Sequence, residues 1–233
     1  MAKKKSGSGL VFFALLLGIG LSAFLYFYQS NLQTEDEVVE KTETEVETQS
    51  LLINEVAPDF LAVDSNGVAH QLSSFKGKIV VLEWKNYGCP FVKKHYESGN
   101  MQALQKMATE KEVVWLSVVS SAEGEQGFES PEQTNTRIES EQSQATAVLI
   151  DDKGVIGKLY HAKVTPHMYI INQEGILVYQ GAIDDKSSTD QADLPTSINY
   201  IQKALTEIFE GVPVSESETE PYGCSVKYLS SVN

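Results

Sequence analysis

The sequence contains only two cysteines, Cys89 and Cys224, which lie far apart along its 233 residues, and a single arginine, Arg137. The two cysteines lack the close spacing of a zinc finger, which excludes that class of metal domain. Basic residues are also few, because 18 lysines and arginines stand against 32 acidic residues, for a formal net charge of −14. This balance argues against binding to nucleic acid or to anionic lipid.

Charged residues are absent from residues 6–34, directly after three lysines at residues 3–5. Within this stretch the 19 residues 10–28 are almost entirely apolar, which is just enough to cross a bilayer as a helix. We therefore predict a cytoplasmic N-terminus over residues 1–9 and a transmembrane anchor over residues 10–29, with the rest of the chain exported. The alternative is a cleaved signal peptide, although residues 25–28 are a poor cleavage site.

A strongly acidic segment follows the predicted anchor. Residues 34–50 contain seven acidic residues and one lysine, and too little apolar surface to fold. We predict that residues 30–53 are an extended acidic linker, that residues 54–211 form one folded domain, and that residues 212–233 are a polar tail carrying Cys224.

Apolar strand-like runs alternate with helical segments along the folded domain. The predicted strands cover residues 58–61, 68–72, 79–84, 112–120, 147–151, 167–172 and 176–180. The first predicted helix covers residues 89–110, with an interruption near 98–100, and the second begins at Ser130 and Pro131. A short helix or turn is predicted at 154–162. The closing helix is predicted at 195–211, with an apolar face that contains Ile198, Ile201, Leu205 and Phe209. This order predicts an α/β fold with a mixed central sheet flanked by helices.

Cys89 lies where the central predicted strand passes through a short turn into a helix. Pro90 is suited to the first helical position, which places Cys89 at or beside the helix N-cap. Unpaired N–H groups and the helix dipole favour an anion there, and the thiolate is the reactive form of cysteine. The alternative is that Cys89 is a small buried hydrophobic residue.

Three sequence features resemble the redoxin group of the thioredoxin-like fold, which includes the peroxiredoxins of the AhpC/TSA type. The first is APDF at residues 57–60 with Leu72 and FKGK at residues 75–78. The second is Cys89-Pro90 after the central strand. The third is Val164-Thr165-Pro166, where this fold keeps a cis-proline beside the active cysteine. The resemblance covers residues 54 to 211.

The sequence also departs from its relatives at this site. Thioredoxins carry a second cysteine where this chain has Val92, so a local dithiol is absent. Peroxiredoxins resemble Pro-x-x-x-Thr-x-x-Cys, and here the proline and threonine positions hold Leu82 and Asn86. The catalytic arginine of peroxiredoxins has no evident match, since Arg137 lies in a polar helix.

The resemblance implies an antioxidant thiol oxidoreductase in which Cys89 attacks either a peroxide or a disulfide. Cys224 is the one available resolving thiol; the alternative is an inert thiol in a loose tail. Substrate contacts are expected from Asn86, Thr165, Pro166 and His167, and His167 or Lys93 is expected to supply positive charge. The implied partners are a thiol reductant and a disulfide-bearing protein or peroxide, with no cofactor and no metal.

Glu83 is a carboxylate in the middle of the apolar strand, six residues before Cys89. Thioredoxins hold a buried acid at a similar offset, and burial makes such a group a plausible proton shuttle for the thiol. The alternative is that Glu83 lies at a sheet edge or forms a salt bridge with Lys85 or another lysine.

Two other functions are considered. The first is a copper or other soft-metal chaperone, in which Cys89 would bind the metal together with His95, His161 or His167. Copper proteins of this fold resemble Cys-x-x-x-Cys at the loop, which this chain lacks. The second is a redox-inactive fold that serves as a scaffold for partners.

Overall fold

A seven-stranded mixed sheet organises the protein. The computed structural model describes residues 51–229, and the strands follow the order β2-β1-β5-β4-β3-β7-β8. The β3–β4 and β4–β5 pairs are parallel, whereas the remaining pairs are antiparallel. These strands are β1 (Leu61–Asp64), β2 (Ala69–Gln71), β3 (Val80–Trp84), β4 (Val114–Val119), β5 (Ala147–Ile150), β7 (His167–Ile171) and β8 (Leu177–Gly181). The predicted mixed sheet is confirmed.

A second, two-stranded sheet pairs β6 (Val164–Thr165) with β9 (Cys224–Ser225). Among residues 51–229, five α-helices surround the sheets: α1 (Pro90–Glu97), α2 (Asn100–Thr109), α3 (Pro131–Ser140), α4 (Val155–Leu159) and α5 (Tyr200–Phe209). The predicted interruption near residue 98 separates α1 from α2, because Gly99 adopts φ +77° at the start of α2. Ser130 and Gln133 form a capping box at the start of α3.

Side chains of β3 alternate between two apolar layers, because successive residues of a strand point to opposite faces. Leu82 and Trp84 join the layer that contains Tyr160 and Tyr169. Val81 joins the opposite layer, which also contains Cys89 and buried side chains of β4, β7, α2 and α5: Met101, Trp115, Met168, Ile201 and Leu205. All five β3 residues are buried, as expected of a central strand covered on both faces.

Two predicted boundaries are wrong. The first strand begins at Leu61 rather than residue 58, because the Asp59 carboxylate accepts hydrogen bonds from the backbone N–H groups of Phe60 and Ser73 and holds residues 58–60 outside the strand. The closing helix begins at Tyr200 rather than residue 195. Residues Gln191–Thr196 form a separate 3-10 helix, and Asn199 caps α5.

Ile198, which was predicted on the apolar face of the closing helix, precedes that helix and is 53% exposed. Ile201 and Leu205 are fully buried, as expected, and Phe209 is half-buried. The face of the helix is therefore predicted correctly from residue 201 onward, and its start is not.

The predicted anchor and acidic linker lie outside the described residues, apart from the last few residues of the linker. Within residues 51–229, none of the helices has the length and apolar character needed to cross a bilayer.

Candidate active site

Cys89 is the N-cap of α1 and has no exposed surface. Pro90 occupies the first helical position, as the sequence predicts, and the Cys89 carbonyl accepts the hydrogen bond of the Lys93 N–H. The Cys89 Sγ donates to the Thr165 carbonyl oxygen at 3.1 Å. The Thr165–Pro166 peptide bond is cis, as the resemblance implies. The thiol therefore lies between the start of a helix and the loop that contains Pro166.

Cys224 lies directly beside this thiol because the C-terminal tail folds back across the site. Its strand β9 pairs antiparallel with β6, and Cys224 is the residue opposite Thr165. Cys224 also packs against the apolar layer that contains Cys89, and both cysteines are free thiols. The tail at this point is docked on the domain, so the alternative of a loose tail is wrong.

The docked position of Cys224 depends on a residue without a side chain. Gly223 has φ +140°, and a Cβ on this residue would lie 2.0 Å from the Thr165 carbonyl oxygen. Such a distance is far inside van der Waals contact, so only glycine allows this approach of the two backbones.

The environments of the two thiols move their pKa values in opposite directions. Burial raises the pKa of Cys89, but the side chains of Cys224 and Thr165 and the backbone N–H groups of Val92 and Cys224 outweigh burial, and the pKa lies below its usual value. Burial and the neighbouring Cys89 raise the pKa of Cys224 to about 11. Cys89 is therefore the thiol of the pair that ionises first.

Replacing Cys224 with alanine is expected to raise the pKa of Cys89, because the substitution removes a donor to the thiolate. Replacing Cys89 with alanine is expected to lower the pKa of Cys224 from about 11, because the neighbouring anion is lost. The ultraviolet absorbance of the thiolate, measured against pH, gives both midpoints. Midpoints in the single-cysteine variants that equal the two midpoints of the unmodified chain would show that the thiols do not interact.

Asn86 is buried in the turn before Cys89, and its side-chain amide holds that turn and a neighbouring loop together. Its Nδ2 donates to the Gln126 carbonyl oxygen at 2.8 Å and to Ser121 Oγ at 3.3 Å, and its Oδ1 accepts from the Gly88 N–H at 2.8 Å. These contacts orient the start of α1. None of them involves a substrate, and substrate binding by Asn86 stays a prediction.

His167 follows Pro166 but packs against the ring of Tyr169, which belongs to the apolar layer opposite Cys89. Its Nδ1 lies 2.9 Å from Tyr169 Oη, and the residue borders a polar cavity of about 390 Å³. Burial and the charge of Lys163 lower the pKa of His167 to about 3. His167 is therefore neutral near pH 7, and the expectation that it supplies positive charge is wrong.

Glu83 has no exposed surface and lies in β3, at the centre of the sheet rather than at its edge. Lys85 does not pair with it, since its Nζ contacts Glu141 Oε2 at 3.0 Å. The Glu83 carboxylate instead accepts hydrogen bonds from four side chains, at distances of 2.8–3.1 Å: Tyr96, Gln105, Trp115 and Ser117. None of these described contacts reaches Cys89, and proton transfer by Glu83 stays a prediction.

The histidines that were considered as metal ligands do not surround Cys89. His95 is buried, and its Nδ1 lies 2.8 Å from Asn100 Nδ2, while His161 is exposed. Among residues 51–229 there is no group of three potential ligands with a geometry suited to a metal ion.

Two residues near Cys224, Tyr222 and Asp184, were not predicted from the sequence. The hydroxyl of Tyr222 donates to the buried carboxylate of Asp184. The Tyr222 ring packs edge-on against Phe91 of α1 at 5.8 Å and lies 5.9 Å from Lys94 Nζ.

Comparisons with known proteins concern the family and the fold of this chain. The model of the AhpC/TSA family matches residues 53–180. A conserved Geobacillus kaustophilus protein of uncharacterised function superposes with a TM-score of 0.68 at 25% identity, covering 79% of this chain and 96% of that chain. A hypothetical protein from Sinorhizobium meliloti 1021 superposes with a TM-score of 0.62 at 22% identity, covering 78% and 97%. No curated protein matches the sequence.

A more distant structure is that of a proposed protein disulfide isomerase from Bacteroides thetaiotaomicron. It superposes with a TM-score of 0.50 at 17% identity, covering 68% of this chain and 91% of that chain. At this identity the likeness concerns the fold alone. The described domain therefore has the thioredoxin-like α/β fold.

Proposed function

The chain belongs to the AhpC/TSA family, and we propose that it is a thiol oxidoreductase whose redox couple is Cys89 with Cys224. The observation that carries this proposal is the β6–β9 strand pair, which sets Cys224 opposite Thr165 and against the buried Cys89. Cys224 would thus act as the second thiol of the couple, a role that in thioredoxins belongs to a cysteine at the position of Val92.

With a peroxide as oxidant, the Cys89 thiolate attacks one peroxide oxygen and the O–O bond breaks. The other oxygen leaves with the electron pair, takes a proton, and Cys89 becomes a sulfenic acid. The Cys224 sulfur then attacks the Cys89 sulfur, water leaves, and a Cys89–Cys224 disulfide forms. The complete burial of Cys89 supports a small oxidant of this kind.

With a disulfide as oxidant, the Cys89 thiolate attacks one substrate sulfur and the other substrate sulfur leaves as a thiolate. Cys224 then attacks the Cys89 sulfur of the mixed disulfide and releases the second substrate thiol. Both routes end in the same internal disulfide, which an external thiol reductant must reduce. The position of Cys89 beside the backbone of Thr165 supports this route, because extended chains bind along such strands.

Intact mass measurement tests the proposal directly. The reduced full-length chain receives one equivalent of hydrogen peroxide, and its mass is followed with time beside that of Cys224→Ser. We expect the chain to lose two hydrogens, and Cys224→Ser to gain one oxygen as a trapped sulfenic acid. Oxidation that is no faster than that of a free thiol would overturn the peroxide route. The same experiment with a small disulfide in place of hydrogen peroxide tests the disulfide route.

We also propose, from the sequence alone, that residues 10–29 anchor the chain in a membrane and place the redoxin domain on the extracytoplasmic face. Protease added to spheroplasts, from which any outer membrane has been removed, would then release the domain from the membrane fraction. A domain that resists the protease until the spheroplasts are lysed would contradict this location.

A further inference from the structure

The tail covers the edge of β6 that lies beside Cys89. Among the described strands, β6 is hydrogen-bonded to β9 and to no other strand. The pairing continues past β9, since the Val226 N–H donates to the Lys163 carbonyl oxygen at 3.0 Å. Without β9, the backbone of Val164 and Thr165 would be an open strand edge next to the Cys89 sulfur.

An open edge of this kind binds an extended polypeptide through backbone hydrogen bonds. In the tail, Cys224 is the residue that pairs with Thr165, and its side chain lies beside Cys89. A disulfide-bearing polypeptide would need to place its own cysteine at this position. The tail therefore occupies the place that such a substrate requires.

The contact that fixes the tail just before Cys224 is made by Tyr222. Its hydroxyl donates to Asp184, a buried carboxylate that also accepts from the Lys186 N–H at 2.9 Å. The other oxygen of Asp184 lies 3.6 Å from Lys94 Nζ and 3.8 Å from His95 Nε2. Hydrogen bonds to charged groups are stronger than those between neutral groups, so this side-chain bond adds a strong contact to the backbone pairing of β9 with β6.

Building on the proposed function, we infer that residues 222–226 are an internal occupant of a binding site for extended, cysteine-bearing polypeptides. The bond between Tyr222 and Asp184 controls whether that site is open. When the tail leaves β6, a polypeptide disulfide pairs with Val164 and Thr165, the Cys89 thiolate attacks its sulfur, and the other thiolate departs with the electron pair.

The test compares two disulfides in full-length chains that carry Cys224→Ser, so that the reaction stops after the attack by Cys89. The first is a peptide of residues 220–227 whose cysteine is joined to nitrothiobenzoate, and the second is the symmetric nitrothiobenzoate disulfide. Attack on the peptide sulfur of the first, or on either sulfur of the second, releases the coloured nitrothiobenzoate thiolate. A peptide with valine in the place of Gly223 is the matched control, because its side chain would meet the Thr165 carbonyl oxygen.

We expect Tyr222→Phe to raise the rate with the peptide by about ten- to a hundredfold relative to the small disulfide. Gly223→Ala, which pushes the tail from Thr165, should act in the same direction. Tyr200→Phe removes a hydroxyl from the same surface pocket and should leave the ratio unchanged. The valine peptide should react slowly in every variant.

Two further outcomes separate the inference from the function on which it rests. If the ratio of the two rates is unchanged in both tail variants while Cys89 reacts with the small disulfide, the inference is overturned and the proposed function stands. If Cys89 reacts with neither reagent faster than a free thiol does, the proposed function itself fails.

Discussion

Replacing Cys89 with serine should lower the consumption of hydrogen peroxide and of small disulfides to the rate of an ordinary thiol, because only Cys224 remains. A serine hydroxyl does not ionise near neutral pH, so the variant has no nucleophile at the N-cap of α1. Replacing Cys224 with serine should instead permit a single attack by Cys89 and block the second step, because no thiol is left to close the internal disulfide.

Single-turnover and steady-state assays together distinguish these two variants. Cys224→Ser should show one equivalent of rapid oxidation followed by little turnover, and Cys89→Ser should show neither phase. Thermal unfolding of both variants serves as the control that the domain is intact. Normal steady-state turnover in Cys224→Ser would mean that an external thiol resolves Cys89 and that the tail cysteine is dispensable.

Replacing Glu83 with alanine should lower the free energy of unfolding by about 3 kcal/mol or more. The substitution leaves donors on Trp115 and Tyr96 without an acceptor in the interior, and it also opens a cavity. Urea unfolding, followed by the fluorescence of the buried Trp84 and Trp115, measures this change.

Ser117→Ala provides the matched control, because it removes one of the four donors and keeps the carboxylate. Its expected cost is about 1 kcal/mol. Equal losses in Ser117→Ala and Glu83→Ala would contradict the view that the carboxylate organises the donors around it.

Glu83→Gln separates a structural role from proton transfer. The amide keeps the size of the side chain, so the fold should survive at a moderate cost. If Glu83 also moves a proton, oxidation of Cys89 should slow in Glu83→Gln and its dependence on pH should change. An unchanged pH profile would restrict Glu83 to a structural role.

Local sequence signals were enough to predict the central part of the site. The β-branched strand, the turn and Pro90 place Cys89 at the start of a helix, because these features depend on the preferences of neighbouring residues. The cis bond before Pro166 was implied instead by the resemblance to the redoxin group.

The tail could not be placed in the same way. Residues 212–229 are polar and lack the periodicity of an apolar face, so nothing local indicates that they pack on the domain. Their position depends on a strand pair only two residues long, on the contact of Gly223 with Thr165, and on the bond from Tyr222 to Asp184. Such contacts between residues far apart in sequence leave no pattern in either partner.

The surroundings of Glu83 illustrate the same limit. Its position in an apolar strand indicated that it could be buried, but its partners come from β4, α1 and α2. Only the pairing of β3 with β4 brings Ser117 directly opposite Glu83. The sequence alone could not decide whether the Glu83 carboxylate pairs with a lysine or accepts hydrogen bonds from neutral donors, because that depends on the strand order.

The most direct test of the central claim is a redox titration of the full-length chain in mixtures of reduced and oxidised dithiothreitol. After alkylation of free thiols, intact mass reports how many cysteines remain reduced at each potential. If Cys89 and Cys224 are the redox couple, they lose their thiols together in one two-electron transition within a single chain. Oxidation of Cys89 while Cys224 in the same chain is still alkylated would contradict it.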